Sequence, residues 1–145
     1  MTREAIVFPD RALFADEQAV RISDINYGNH LGHDSLVSIL HEARVRFFRD
    51  HGMEEANVEG RGIILTELAV SYRAQAFYGQ TLKIEIAAGE IGSRGCDLLY
   101  RVTDRDSKIL VALARTSLLF FDYGNQRVAA MPERFRRVIE PSLGT

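Results

Sequence analysis

The chain has 145 residues, 46% apolar and 26% charged, proportions of a folded domain and not of a disordered segment. Its 18 Lys and Arg against 20 Asp and Glu leave a net charge of -2, too balanced for a protein that lives on nucleic-acid phosphates. No apolar run approaches the roughly 20 residues of a membrane helix. The opening MTREAIVFPD carries no signal-like stretch, and the single Cys96 excludes an internal disulfide. One domain over 1–145, in a reducing cytoplasm and with no membrane or nucleic-acid partner, is the expectation.

Residues 17–23 alternate, with Val20 and Ile22 on one face, and predict a half-buried strand. The next ten, DINYGNHLGH, are dense in Asn, Gly, Asp and His and read as a loop. From Asp34 to about His51 the period becomes helical: Leu36, Leu40, Ala43 and Phe47 make one apolar stripe, flanked by Val37 and Phe48. Asp34 or Ser35 is the expected N-cap, and Gly52 the C-terminal stop. Strands follow at 63–72, with untidy alternation, then at 82–88, 97–103 and 109–122. The short connections at Tyr78-Gly79-Gln80, Gly92 to Gly95 and Asp104 to Lys108 predict hairpins in an antiparallel sheet. Pro132 opens a short helix over 133–139. One helix with a strong apolar stripe needs a surface to bury it. The expected fold is α+β, a curled antiparallel sheet of five or six strands wrapped around one long central helix. Its two open edges, and strands apolar on both faces, suggest that a second copy covers part of it.

The chemistry concentrates between Ser23 and Arg44. All four histidines, His30, His33, His41 and His51, lie within 22 residues of one another, and three fall in or beside the polar loop and helix start. A helix N-terminus presents unpaired N–H groups and the positive end of the helix dipole, so it suits an anion or the oxyanion formed when a carbonyl is attacked. The loop brings Asp24, Asn26, His30 and His33 to that point. Turn geometry alone is the competing reading for Asn26 and Gly28. Glu42 stands nearly opposite the apolar stripe and four residues before Arg46, the spacing of an exposed ion pair, yet it is also a helix-borne candidate carboxylate. His41 sits at the margin of the stripe, as a packed histidine or a second helix-borne candidate. Cys96 has no neighbouring histidine and reads as structural. The pair His30-x-x-His33, with Asp24 or Asp34, also has the residue types of a metal site, but its short spacing in a Gly-rich loop defines no ligand set, so no metal is expected.

Asp24-Ile25-Asn26-Tyr27-Gly28-Asn29-His30, followed by His41-Glu42-Ala43-Arg44 and Phe47-Phe48, resembles the signature of hot-dog fold thioesterases of the 4-hydroxybenzoyl-CoA thioesterase-like group. Ser71-Tyr72-Arg73 and Tyr78-Gly79-Gln80-Thr81-Leu82 are similar to that family's next strand and hairpin. The likeness runs over about residues 17–123. It implies hydrolysis of a small-molecule acyl-CoA by a homodimer or dimer of dimers, with the active site at the subunit interface. Coenzyme A would be part of the substrate, and no separate cofactor is expected. In the family the second Asp of the loop is nucleophile or general base; its counterpart here is Asn26. The expected catalytic set is therefore Asn26 to orient the carbonyl or the water, the His33 N–H as oxyanion donor, and His30 or a helix residue as base, with Glu42, His41 and Asp34 as the helix-borne candidates. Arg73 and Arg94 are the candidates for the CoA phosphates. Because a carboxamide cannot take a proton from water, a non-catalytic acyl-thioester binder is the alternative.

Overall fold

The computed structural model describes residues 4–140. Its elements run β1 (Phe14–Ala19), a 3-10 turn (Ile22–Asp24), α1 (His33–Asp50), β2 (Gly62–Tyr72), β3 (Thr81–Ile91), β4 (Gly95–Asp104), β5 (Leu110–Asp122), β6 (Arg127–Val128) and α2 (Glu133–Ile139). All strand pairs are antiparallel, and the sheet order is β1-β3-β4-β5-β2, with β6 paired to β5. The expected α+β hot-dog architecture is present, with α1 lying in the curl of the sheet.

The stripe that predicts α1 is the stripe it buries. Leu36, Leu40, Ala43, Phe47 and Phe48 are all at most 1% exposed, and Ile39 joins them. Against them stand Leu82, Ile84 and Ile86 of β3, Leu98, Tyr100 and Val102 of β4, and Ala112, Ala114, Leu118 and Phe120 of β5. Helix α2 closes one end of this core, where Phe135 packs on Phe48 and Phe120 with ring centroids 5.2 and 5.1 Å apart. Burying each such side chain stabilises the fold by about 1.5–3 kcal/mol.

Three expectations need correction. The first strand ends at Ala19, and Val20 and Ile22 do not share a buried face: Val20 is buried and Ile22 is exposed. The cause is Asp24, whose carboxylate accepts the Arg21 N–H at 2.9 Å and folds the chain into a 3-10 turn where the alternation suggested strand. The N-cap of α1 is Gly32, with no side-chain cap, and not Asp34 or Ser35. The helix starts one residue early, so those two side chains fall inside the first turn. Finally, the turn at Tyr78-Gly79-Gln80 does not close a hairpin. β2 pairs with β5 and β3 with β1, so residues 73–80 cross the end of the sheet from one side to the other. The crossing is pinned by Arg73 and Ala74 N–H to the Val111 carbonyl, Leu31 N–H to Ala76, and Gly79 N–H to Val20.

Strand β2 explains its own untidy sequence. The register slips between Leu65 and Glu67, making a bulge at Thr66, so Ile63 and Leu65 before it and Leu68, Val70 and Tyr72 after it pair with Phe120, Leu118, Thr116, Ala114 and Ala112. Directly opposed residues share a face, so this whole row points to the helix side. Yet Leu65, Leu68 and Tyr72 are 45%, 47% and 54% exposed, because α1 does not reach that far across the sheet.

Candidate active site

The loop between the 3-10 turn and α1 is held by its own polar groups. The buried Asp24 carboxylate is taken up by the Arg21 N–H and guanidinium, and the Asp24 carbonyl accepts the Gly32 N–H at 3.0 Å. Asn26 Oδ1 accepts the N–H of Gly28 at 2.9 Å and that of His30 at 3.4 Å, while the Asn26 N–H donates to the His30 carbonyl. Asn29 adopts a positive φ of 63° to complete the turn. The loop is tight at Gly28, where a Cβ would lie 3.1 Å from His30 Nε2 and 3.3 Å from Asn26 Oδ1, so a larger residue would push on both side chains.

Two consequences follow for chemistry. With Oδ1 committed to backbone donors, Asn26 has its Nδ2 amide hydrogens left, and no acceptor for them is found among the described residues. His30 Nδ1 lies 3.2 Å from the Leu31 carbonyl oxygen, which can only accept. In the neutral ring the proton therefore sits on Nδ1, and Nε2 carries the lone pair.

Asn26, His30 and His33 line one cavity of about 420 Å³ with Leu31, Leu36, Tyr72, Arg73, Ala74, Gln75, Ala76 and Val111. The crossing segment 73–76 forms one wall, α1's first turn another, and apolar Leu31, Leu36, Ala76 and Val111 lie between them. At its edge the first N–H groups of α1, from His33 onward, are not capped by the Gly32 position, which has no side chain. Burial, and then the charge of Asp34, raise the Tyr72 pKa above its ordinary value. Arg73 lines the cavity and donates from Nε to Ser71 Oγ at 2.9 Å.

The other candidates lie elsewhere. Glu42 faces away, bonded to Arg46 Nε at 2.9 Å, in a separate groove with Gln18, Arg21 and Ser38. Arg94 is in the β3–β4 turn, beside Gly92, Cys96 and Ser117, and not in the cavity with Arg73. His41 is bonded to Glu55, with Nε2 3.1 Å from Oε1. No group of three or more His, Cys, Asp or Glu residues able to hold a metal ion gathers among the described residues, and no described helix is long and apolar enough to cross a membrane. Glu55 was not foreseen. The signal was Arg44: a guanidinium on the buried stripe of a helix requires a carboxylate partner somewhere in the chain.

Residues 20–139 match the model of the Thioesterase-like superfamily, and the chain belongs to that family. No curated protein matches it in sequence. Among solved structures it is similar to a 1,4-dihydroxy-2-naphthoyl-CoA thioesterase from Synechocystis, 18% identical, with a TM-score of 0.80 over 87% of this chain and 94% of that one. It is similar also to a Pseudomonas aeruginosa protein proposed as a thioesterase, 21% identical, with a TM-score of 0.82 over 89% and 99%. A Staphylococcus aureus protein solved in complex with CoA is 17% identical, with a TM-score of 0.80 over 93% and 85%. At these identities the likeness speaks for the fold.

Proposed function

We propose that the protein is an acyl-CoA thioesterase that works as a homodimer. The observation that carries this reading is the meeting of three groups on one cavity: an uncapped helix start, an Asn26 amide with hydrogens to give, and a His30 ring whose Nε2 is the basic nitrogen. The thioester carbonyl oxygen accepts hydrogen bonds from the His33 N–H and Asn26 Nδ2, both of which strengthen as the oxygen takes on negative charge. His30 Nε2 removes a proton from water as the water oxygen bonds to the carbonyl carbon. The tetrahedral intermediate then collapses, the C–S bond breaks, and the thiolate takes the proton from the imidazolium. Arg73, at the mouth, meets the CoA phosphates. The CoA is part of the substrate, and no separate cofactor enters. The family membership and the neighbour solved with CoA support this choice of substrate.

The dimer is proposed from β2. Its outer edge has no neighbouring strand among the described residues, and the apolar row Leu65, Leu68 and Tyr72 beside it is half exposed. An antiparallel pairing of β2 with its counterpart in a second copy satisfies both and roofs the seam between α1 and β2.

Thiol release from a panel of short, medium, long and aryl acyl-CoAs tests the activity. Turnover on at least one class is expected, and none on any class overturns it. One observation favours a second reading: Asn26 Oδ1 is spent on the loop's own backbone, and a carboxamide is no base. A binder without hydrolysis would show CoA-ester binding by calorimetry and no thiol release.

A further inference from the structure

A second cavity, of about 690 Å³, lies further along the seam between α1 and β2 and shares no lining residue with the one just described. On the helix it begins at Val37 and Leu40, one turn beyond Leu36; on the strand it is walled by Leu68 and Leu65, further along the row that starts at Tyr72. Its walls are apolar, but its inner end is not. The Arg44 side chain is only 5% exposed and donates from Nε to Glu55 Oε2 at 2.7 Å and from Nη1 to the Tyr100 hydroxyl at 3.3 Å. That hydroxyl is 2.7 Å from Thr116 Oγ1, and the other Glu55 oxygen is 3.1 Å from His41 Nε2. No acceptor for Arg44 Nη2 is found among the described residues, and Arg44, Glu55, His41 and Thr116 all face the cavity.

An apolar slot that ends on a balanced ion pair discriminates by what it is offered. A plain alkyl end would strip water from Arg44 and Glu55 and return no hydrogen bond. A carboxylate would meet the Glu55 charge at close range. A hydroxyl can accept from Arg44 Nη2 and donate to the Glu55 carboxylate at once, leaving the charge balance unchanged. The helix rises eleven steps from His33 to Arg44, about 16 Å, and helical side chains lean back toward the N-terminus, which brings the Arg44 end within reach of a medium-length acyl chain.

We propose that this cavity receives the far end of the acyl chain, and that Arg44 and Glu55 select a medium-chain acyl group with a hydroxyl near its terminus. The inference rests on the thioesterase reading, which sets the thioester at the start of α1. Calorimetry with the non-hydrolysable thioether analogues of decanoyl-CoA, 10-hydroxydecanoyl-CoA and the C10 ω-carboxyacyl-CoA, beside thiol release from the esters themselves, separates the two. The hydroxylated analogue should bind at least about tenfold tighter than either of the others, since a site built for a hydroxyl rejects analogues that leave its polar groups unpaired. In Glu55→Gln the preference over the decanoyl analogue should shrink to less than about threefold, as one half of the hydroxyl's partner pair loses its charge. If that variant does not fold, the wild-type ratio still decides. Equal or tighter binding of the decanoyl analogue overturns the inference and leaves Arg44 and Glu55 as a tie between α1 and the loop that follows it. Hydroxyl preference without thiol release overturns only the thioesterase reading, and thiol release without the preference overturns only this one.

Discussion

At the scale of single residues, environment decides which reactive groups are usable. Cys96 is 5% exposed, and burial pushes its thiol up to about 12, so at neutral pH almost no thiolate exists to react. A maleimide or iodoacetamide should leave the native protein unmodified over hours and label it on unfolding; rapid labelling of the native protein, read by mass spectrometry, would contradict the buried assignment. Asn26 and His30 are the converse case. Their loop consumes one hydrogen-bonding atom of each side chain and leaves the other, Nδ2 or Nε2, unspent. Which atom is spent follows from backbone geometry that the residue types do not specify, so the sequence could nominate both residues but not divide their roles. Glu42 shows the limit from the other side, since its i,i+4 spacing to Arg46 was readable and the ion pair is present.

At the scale of elements, legibility tracks how much of the pattern is local. Helix α1 was readable because one 3.6-residue stripe meets one continuous core, and β3 and β4 because each alternates against a single buried face. Strand β2 was blurred by the Thr66 bulge, which moves the apolar residues from odd to even positions midway. The crossing of residues 73–80 was not readable at all. A Gly-containing turn announces a change of direction but not which strands pair, and that choice rests on contacts distant in sequence. Gly95, at the start of β4, tests the register directly. A Cβ there would collide with the Leu118 carbonyl of β5, an oxygen fixed in the sheet. Gly95→Ala should cost about 1–3 kcal/mol in a urea titration, as strain introduced into a packed interior does. An unchanged midpoint would mean that β4 and β5 are not in this register.

At the scale of the whole molecule, part of the sheet's inner face is left uncovered, and the proposed dimer would cover it. The apolar row of β2 continues a buried face past the edge of α1, and the candidate site and the longer cavity both open along it. Replacing Leu65 and Leu68 together by Arg should convert a dimer to a monomer in sedimentation, because two buried charges at a two-fold interface appear four times. Activity should fall with it, since the seam loses its roof. A wild-type protein that sediments as a monomer, or a double variant that stays dimeric, would remove this part of the account. The curled sheet and the long helix were legible in the sequence; the polar end of the cavity was not, because Glu55 sits in a loop and only folding brings it to Arg44.

In the proposed reaction Asn26 donates from its amide to the thioester oxygen and does not act as a base. This role is tested by steady-state thiol release with the best acyl-CoA, comparing the wild type with Asn26→Ala and Asn26→Asp at equal ligand affinity. Both variants should lose more than about tenfold in kcat, because neither an alanine nor a carboxylate can give that hydrogen bond to a developing oxyanion. An Asn26→Asp protein as fast as the wild type, or faster, would show that a carboxylate does the work at this position and that the amide does not.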